Sequence, residues 1–334
     1  MGREWAETTV TIIDNLDPLW SAWRNARHLW KGVPIFVTPP WLEAWHNTLG
    51  QGTTLSLWIA RGPGGFEGYC PLKVFKEVGV FAGDPEVCDY FDVAAVPGKE
   101  DDVCRAFVQA ACHMSLKALD LFPVRPASKV MTHLAPLCRT LGYGVSVERS
   151  DVTVEMPLDG SWEGYLQSLN GKQRHEVRRK MRRLEEAGSV RFRVVTSPAE
   201  VEPALEVFFH LFQSNRDDKA RFLTPSVRAY LEALCRTMGH EGMLRLSILD
   251  LNASPVASAL CFDDAEAVFL YNNGYDAAFG HLSVGLMHTV FTIKDAVELG
   301  RKRYEFLRGD ENYKFRLGGR EVPLYRVRVS LDTV

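Results

Sequence analysis

Between Tyr304 and Arg316 the chain reads YEFLRGDENYKFR, and its residue types could move protons. A carboxylate of Asp310 or Glu311 could accept one, and the Tyr313 phenol could donate one. Lys314 adds a cation and is a candidate for binding the substrate. These residues follow a strand-like run, Tyr304 to Leu307, and open α/β sheets favour ligand sites at strand ends. The same set could also be a charged surface turn in which Glu311 pairs with Lys314. Upstream, a second strand-like run, Ala267 to Asn272, leads into a loop with Gly274, Gly280 and Gly285. Leu286, Val290, Ile293, Ala296, Val297 and Leu299 then recur at helical spacing, up to Gly300. Strand, small-residue loop and helix can together hold a phosphate, because the first amides of a helix point outward and its dipole favours an anion. The backbones of Leu282, Ser283, Val284 and Gly285 are the candidates for such a cradle, with Ser283 as the expected N-cap. The alternative is a serine-capped helix that binds nothing.

Other chemistries fit less well. A nucleophile elbow needs Gly-x-Ser-x-Gly on a tight turn, but His281 occupies the first Gly position. About ten residues also separate Ser283 from the preceding strand, too many for that turn. The histidines form no HxxH or HExxH, so zinc catalysis is not expected. Asp84, Asp89, Tyr90 and Asp92 gather in a Gly/Pro-flanked loop without a histidine at ligand spacing. These residues, Asp84, Asp89 and Tyr90 foremost, could line an acceptor pocket between domains; a metal held by the carboxylates is a weaker alternative without a histidine, and no metal is expected. A basic segment holds Lys172, Arg174, Arg178, Arg179, Lys180, Arg182 and Arg183, with Val177, Met181 and Leu184 on one helical face. Its basic face could meet RNA such as tRNA, an acyl carrier protein or coenzyme phosphates. It could instead be a solvated face offset by Glu176, Glu185 and Glu186. No aromatic residue interleaves within it, which argues against a single-strand stacking platform.

Length and composition set the frame. The 334 residues suffice for two domains, and the net charge of −3 exerts no global pull toward nucleic acid or membrane. Seven cysteines, an odd number without a CxxC, indicate neither a disulfide framework nor a zinc knuckle, and a reduced cytoplasmic setting is expected. The first residues lack an apolar core of signal-peptide length, and no apolar run approaches membrane-spanning length, so no membrane insertion is expected.

Along the chain, helices are expected at Trp41 to Leu49, Val103 to Leu116 and Val130 to Leu141, with strands at Thr54 to Ala60, Gly68 to Val74, Ala118 to Phe122 and Val152 to Met156. The second half reads as helices at Trp162 to Leu169, His175 to Ala187, Pro203 to Asn215 and Pro225 to Met238. Strands follow at Leu244 to Leu251, Val256 to Phe262, Ala267 to Asn272, Tyr304 to Leu307 and Tyr325 to Leu331. This predicts two similar α/β (α+β) units, 1–155 and 156–334.

Two segments of the second half, YLQSLNGKQRHEVRRKMRRLEEAGSVRFRVV (Tyr165 to Val195) and FLRGDENYKFRLG (Phe306 to Gly318), resemble the CelD-like acetyltransferase family of the GNAT superfamily. FVTPPWLEAWHNTLG and FAGDPEVCDYFDV extend the resemblance into the first half, so that it covers roughly 35–330. It implies two tandem GNAT-like domains, each a mixed twisted sheet flanked by helices, arranged as in Fem-type peptidyltransferases. It also implies acyl transfer, usually from acetyl-CoA or another acyl-CoA, to an amine of a small molecule, sugar or peptide. Under the resemblance, Tyr271, Asn272 and Asn273 would offer their backbone to the pantetheine arm, and Arg216 would lie near the acceptor. The family's phosphate loop has the form (Gln/Arg)-x-x-Gly-x-(Gly/Ala). Here GHLSVG (280–285) keeps the small residues and lacks the Gln/Arg. A Fem-like transfer from aminoacyl-tRNA is the alternative, although no long helical-hairpin insertion for tRNA is evident. A third possibility is a GNAT-fold binding protein without turnover.

Overall fold

The computed structural model of the chain describes residues 8–30, 32–158, 160–195, 198–215 and 221–332. The chain divides into two compact units, Met1–Asp151 with Val322–Val334, and Val152–Glu321. Each is a mixed α/β layer structure.

In the first unit, β1 (Thr9–Ile13), α1 (Asp17–Ala26) and α2 (Pro39–His46) precede the hairpin of β2 (Ser56–Gly62) and β3 (Gly65–Phe75). The short strands β4 (Val78–Phe81) and β5 (Ala94–Ala95) follow, then α3 (Glu100–His113), β6 (Ala118–Val124), α4 (Ala135–Thr140) and the start of β7 (Gly144–Pro157). The order is β1-β2-β3-β4-β6-β13-β7, with β13 spanning Arg320–Ser330. The β4–β6 pair is parallel, and β1–β2, β2–β3, β3–β4 and β6–β13 are antiparallel. Trp58 of β2 meets Phe107 of α3 edge-on, at 6.2 Å between ring centroids.

The second unit takes the end of β7 and adds α5 (Trp162–Ser168), α6 (Gly171–Glu186), β8 (Val190–Val195), α7 (Pro198–Asn215) and α8 (Pro225–His240). Next come β9 (Leu244–Leu251), β10 (Ser254–Asp263), β11 (Ala267–Tyr275), α9 (Val284–Glu298), β12 (Arg303–Arg308) and α10 (Asn312–Arg316). Its strand order is β7-β12-β11-β10-β9-β8. Among the described strands of this unit, only β11 and β12 pair in parallel, as the intervening α9 requires. Leu249, Leu251, Ala257, Ala259, Cys261, Val268 and Leu270 share one core with Met287, Val290, Ile293 and Ala296 of α9 and with Val177 and Leu184 of α6. Period-two alternation turns these strand residues to one face. The intervening Leu246, Ile248, Leu260, Phe262 and Phe269 are also buried, and α7 packs against β9, β10 and β11. Burial on both faces explains why these strands read as nearly continuous apolar runs.

α6 begins earlier than its apolar spacing indicates. Asn170 and Gln173 form a capping box, each side chain bonding the other's backbone amide, which starts the helix at Gly171. β11 ends later than expected. Gly274 reads as a breaker, yet the strand continues through it to Tyr275.

Candidate functional site

β11 and β12 pair only from Ala267↔Arg303 to Phe269↔Glu305. Beyond that, β11 runs on beside β10 to Tyr275, while β12 runs on beside β7 to Arg308. The two strands part, and irregularities on both sides accompany the parting. The β10 partners step from Asn272 to Leu270, leaving Tyr271 as a bulge. On β12, Leu307 adopts the left-handed region at φ 62°. A cavity of about 500 Å³ lies in this unit, lined by residues that include Lys180, Asn273, Tyr275, Ser283, Gly285 and Tyr313.

One wall is the start of α9. A 3-10 turn, Ala277–Leu282, is opened by the Asp276 side chain, which accepts from the Ala278 amide at 2.9 Å. Ser283 follows in the left-handed region, φ 58° and ψ 38°, and its amide donates to the Gly280 carbonyl at 2.9 Å. This corrects the expected role of Ser283, because its side chain does not cap α9. The left-handed backbone does not give the extended N-cap conformation that returns the hydroxyl to the first turn. Instead the hydroxyl accepts from the Lys180 ammonium of α6, at 2.9 Å. Leu282 and Val284 send their side chains into the core, so only their backbones could serve a ligand. Gly285 must be small for a packing reason, since a Cβ there would lie 2.5 Å from the Tyr275 ring. Gly280 has open space around it.

The opposite wall comes from the segment after β12. Tyr313, on α10, hydrogen-bonds Asn273 of β11, and its ring meets Phe306. Burial, reinforced by the charge of Glu311, pushes the phenol well above its ordinary range, so the hydroxyl stays protonated and can donate. Glu311 also lines the cavity and pairs with Lys314 at 2.9 Å.

Lys314 does not serve as an exposed substrate ligand. It is 3% exposed, and its ammonium donates to the Leu307, Arg308 and Gly309 carbonyls, pinning the turn. Asp310 is exposed and is not among the residues lining the cavity. In the first unit, Asp84 accepts from the Glu86 amide, and Asp89 is buried. Tyr90 is buried edge-on against Phe36 with the Arg125 guanidinium over its ring. Asp92 accepts from the Lys129 and Val130 amides and closes a helix start. Arg216 lies outside the described residues. Tyr275 and Thr289 line the cavity without having been singled out by sequence. Tyr275 stands two residues from Asn273 and shares its strand face, a signal available once the strand is carried through Gly274.

On the buried side of α9, His288 is 1% exposed and shares a 3.0 Å hydrogen bond with Ser247 of β9. Burial depresses its pKa from 6.5 to about 3. The unfolded chain takes up this proton below pH 6.5 while the folded chain does not, so the contribution to stability is complete above 6.5 and is lost as pH falls toward 3. Between pH 7.5 and 5 the loss should be about 2 kcal/mol. His288→Gln should show a correspondingly shallower pH dependence of urea unfolding; equal slopes in both proteins would mean that His288 takes up its proton in the folded state.

Among the described residues, no group of three or more His, Cys, Asp or Glu is placed to hold a metal ion. None of their helices is long and apolar enough to cross a membrane.

Residues 171–315 match the family model described as acetyltransferase (GNAT) domain. Comparison with curated proteins gives no match. Among solved structures, the chain resembles FemX at 13% identity, with a TM-score of 0.65 over 91% of this chain and 95% of that one. A conserved protein of unknown function from Bacteroides thetaiotaomicron is similar at 11% identity, TM-score 0.63, over 96% and 100%. L-PGS from Bacillus licheniformis is similar at 13% identity, TM-score 0.60, over 99% and 95%. At these identities the likeness is one of fold. The sequence match thus falls within the second unit, over residues 171–315, and the chain as a whole shares the fold of these solved structures.

Proposed function

We propose that the chain is an acyl-CoA-dependent N-acyltransferase, passing an acyl group, acetyl in the simplest case, to an amine of a small molecule, sugar or peptide. The observation that carries this reading is one cavity bounded by the start of α9, the end of β11 and Tyr313. The first amides of α9 would meet the donor's diphosphate. The opening between β11 and β12 would take the pantetheine arm beside Tyr271, Asn272 and Asn273. The amine nitrogen then attacks the thioester carbonyl carbon, and the C–S bond breaks as the tetrahedral adduct collapses. Glu311 is the proposed acceptor of the amine proton, and Tyr313 the proposed donor to the departing thiolate. Arg216 is retained as a candidate near the acceptor.

The second reading is a Fem-like transfer from aminoacyl-tRNA. The fold shared with FemX over most of the chain and the basic run on α6 support it. Thermal unfolding with acetyl-CoA, longer acyl-CoAs and charged tRNA separates the two. A ligand at a hundred times its Kd adds about 2.7 kcal/mol to the native state, which for a unit of this size is a rise of roughly 5–10 °C. Acyl-CoA should give this rise. A rise with charged tRNA alone would transfer the proposal to the Fem-like chemistry, and no rise with any of them would favour a binding protein without turnover.

A further inference from the structure

We infer that Lys180, on a helix remote in sequence from the loop, supplies the positive charge that holds the donor's diphosphate. This rests on the acyl-CoA reading above and identifies a recognition residue that the loop itself lacks. Residues 280–285, GHLSVG, contain no Arg, Lys or Gln, and the His281 ring bonds the Ala278 carbonyl at 3.2 Å. Backbone amides supply only partial charge, so two phosphates at this helix start call for a full cation nearby. Lys180 lies 103 residues before Ser283, and its ammonium donates to the Ser283 hydroxyl at 2.9 Å. It lines the same cavity as Gly280, Ser283 and Gly285.

The neighbouring cations on α6 point to other partners. Arg178 pairs with Glu163, Arg179 with Glu176, and Arg182 with Glu186, in pairs whose side chains are 41–73% exposed. The Lys180 side chain is only 20% exposed. Its carboxylate neighbour, Glu176, is 3.5 Å away and also engages Arg179 at 2.9 Å. An ammonium has three hydrogens, and these two contacts leave one for a phosphate oxygen. Packing fixes the stem: Val177 and Leu184 are buried in the core shared with α9, and Met181 packs against it. The left-handed Ser283 completes the arrangement, because its hydroxyl receives the ammonium and does not cap the first turn of α9.

The test is calorimetric titration of the full chain and of Lys180→Met with CoA, 3′-dephospho-CoA and pantetheine. Loss of a charge-assisted contact should weaken CoA and 3′-dephospho-CoA alike, by about tenfold to a hundredfold. Pantetheine, which carries no phosphate, should bind both proteins equally. Lys180→Gln keeps a donor toward Ser283 and removes the charge; it should show the same loss, and it carries the test if the Met variant unfolds early. Lys180→Arg should recover most of the affinity. Unchanged CoA affinity in the neutral variants, with the wild type binding well, overturns the role of Lys180 and leaves the donor reading intact. A loss confined to CoA, sparing 3′-dephospho-CoA, also overturns it by moving Lys180 to the 3′-phosphate. A wild-type chain that binds none of the three overturns the donor reading and this inference with it.

Discussion

Tyr313→Phe should bind acyl-CoA like the wild type and transfer the acyl group about 10²–10⁴ times more slowly in a single turnover. The substitution keeps the ring, its contact with Phe306 and its place in the cavity wall, and removes only the hydroxyl. That hydroxyl bonds Asn273 across the opening between β11 and β12, and burial keeps it protonated. A protonated donor beside the thioester can deliver its hydrogen as negative charge grows on sulfur or oxygen, so its removal acts on the transition state more than on binding. Rapid-quench rates at saturating donor measure the step, and thermal stabilisation by acyl-CoA measures binding. Asp310→Asn serves as the contrast. This carboxylate is exposed and away from the cavity lining, so its rate should stay close to wild type. A wild-type rate in Tyr313→Phe would reduce Tyr313 to a packing residue bonded to Asn273. A slow Asp310→Asn would instead return the proton chemistry to the turn.

Much of the second unit was legible because its signals are local. α9 follows from the spacing of Val290, Ile293, Ala296 and Val297, and β9 from the apolar run Leu244 to Leu251. The capping box Asn170–Gln173 was also present in the sequence and would have placed the start of α6 correctly. The elements before Pro39 were harder to read. β1 is five residues long and not buried on either face, so burial imposes no alternation on it. The site was legible in part, and for a different reason. The cavity brings together Glu311, Tyr313, Ser283 and Gly285, singled out by residue type and position, with Asn273, named only for its backbone under the family resemblance. The Lys180–Ser283 contact joins residues 103 apart, and no local pattern distinguishes Lys180 from the other cations of its helix. Lys314 misleads in the opposite direction. It sits in a charged segment and reads as a ligand, but folding turns its ammonium onto three carbonyls. Ser283 resembles an N-cap in sequence, yet its side chain is given its role by its backbone conformation and by a distant lysine.

Gly274→Ala should destabilise the second unit by about 3 kcal/mol or more, although it adds a single methyl group. Gly274 lies within β11, where α7 crosses closely. A Cβ would sit 2.4 Å from the Phe212 amide nitrogen and 2.5 Å from the Leu211 carbonyl carbon. Both are backbone atoms in a helix whose Phe208, Phe209 and Phe212 are buried, so neither side can yield by a rotamer change. For a unit of this size the loss corresponds to a fall of roughly 6–12 °C in its unfolding midpoint. Gly171→Ala is the matched comparison. It opens α6 with nothing within 4 Å of the added methyl, and without a left-handed backbone, so it should be neutral or slightly stabilising. The consequence reaches the site, because Asn273 and Tyr275 flank Gly274 and both line the cavity. Displacing β11 from α7 moves the partner of Tyr313 and the ring that packs on Gly285 together. Gly274→Ala should therefore lose ligand stabilisation below its lowered midpoint as well as above it. A variant that melts with the wild type would show that α7 and β11 can separate at little cost, and that the glycine is not what holds the rim of the cavity in place.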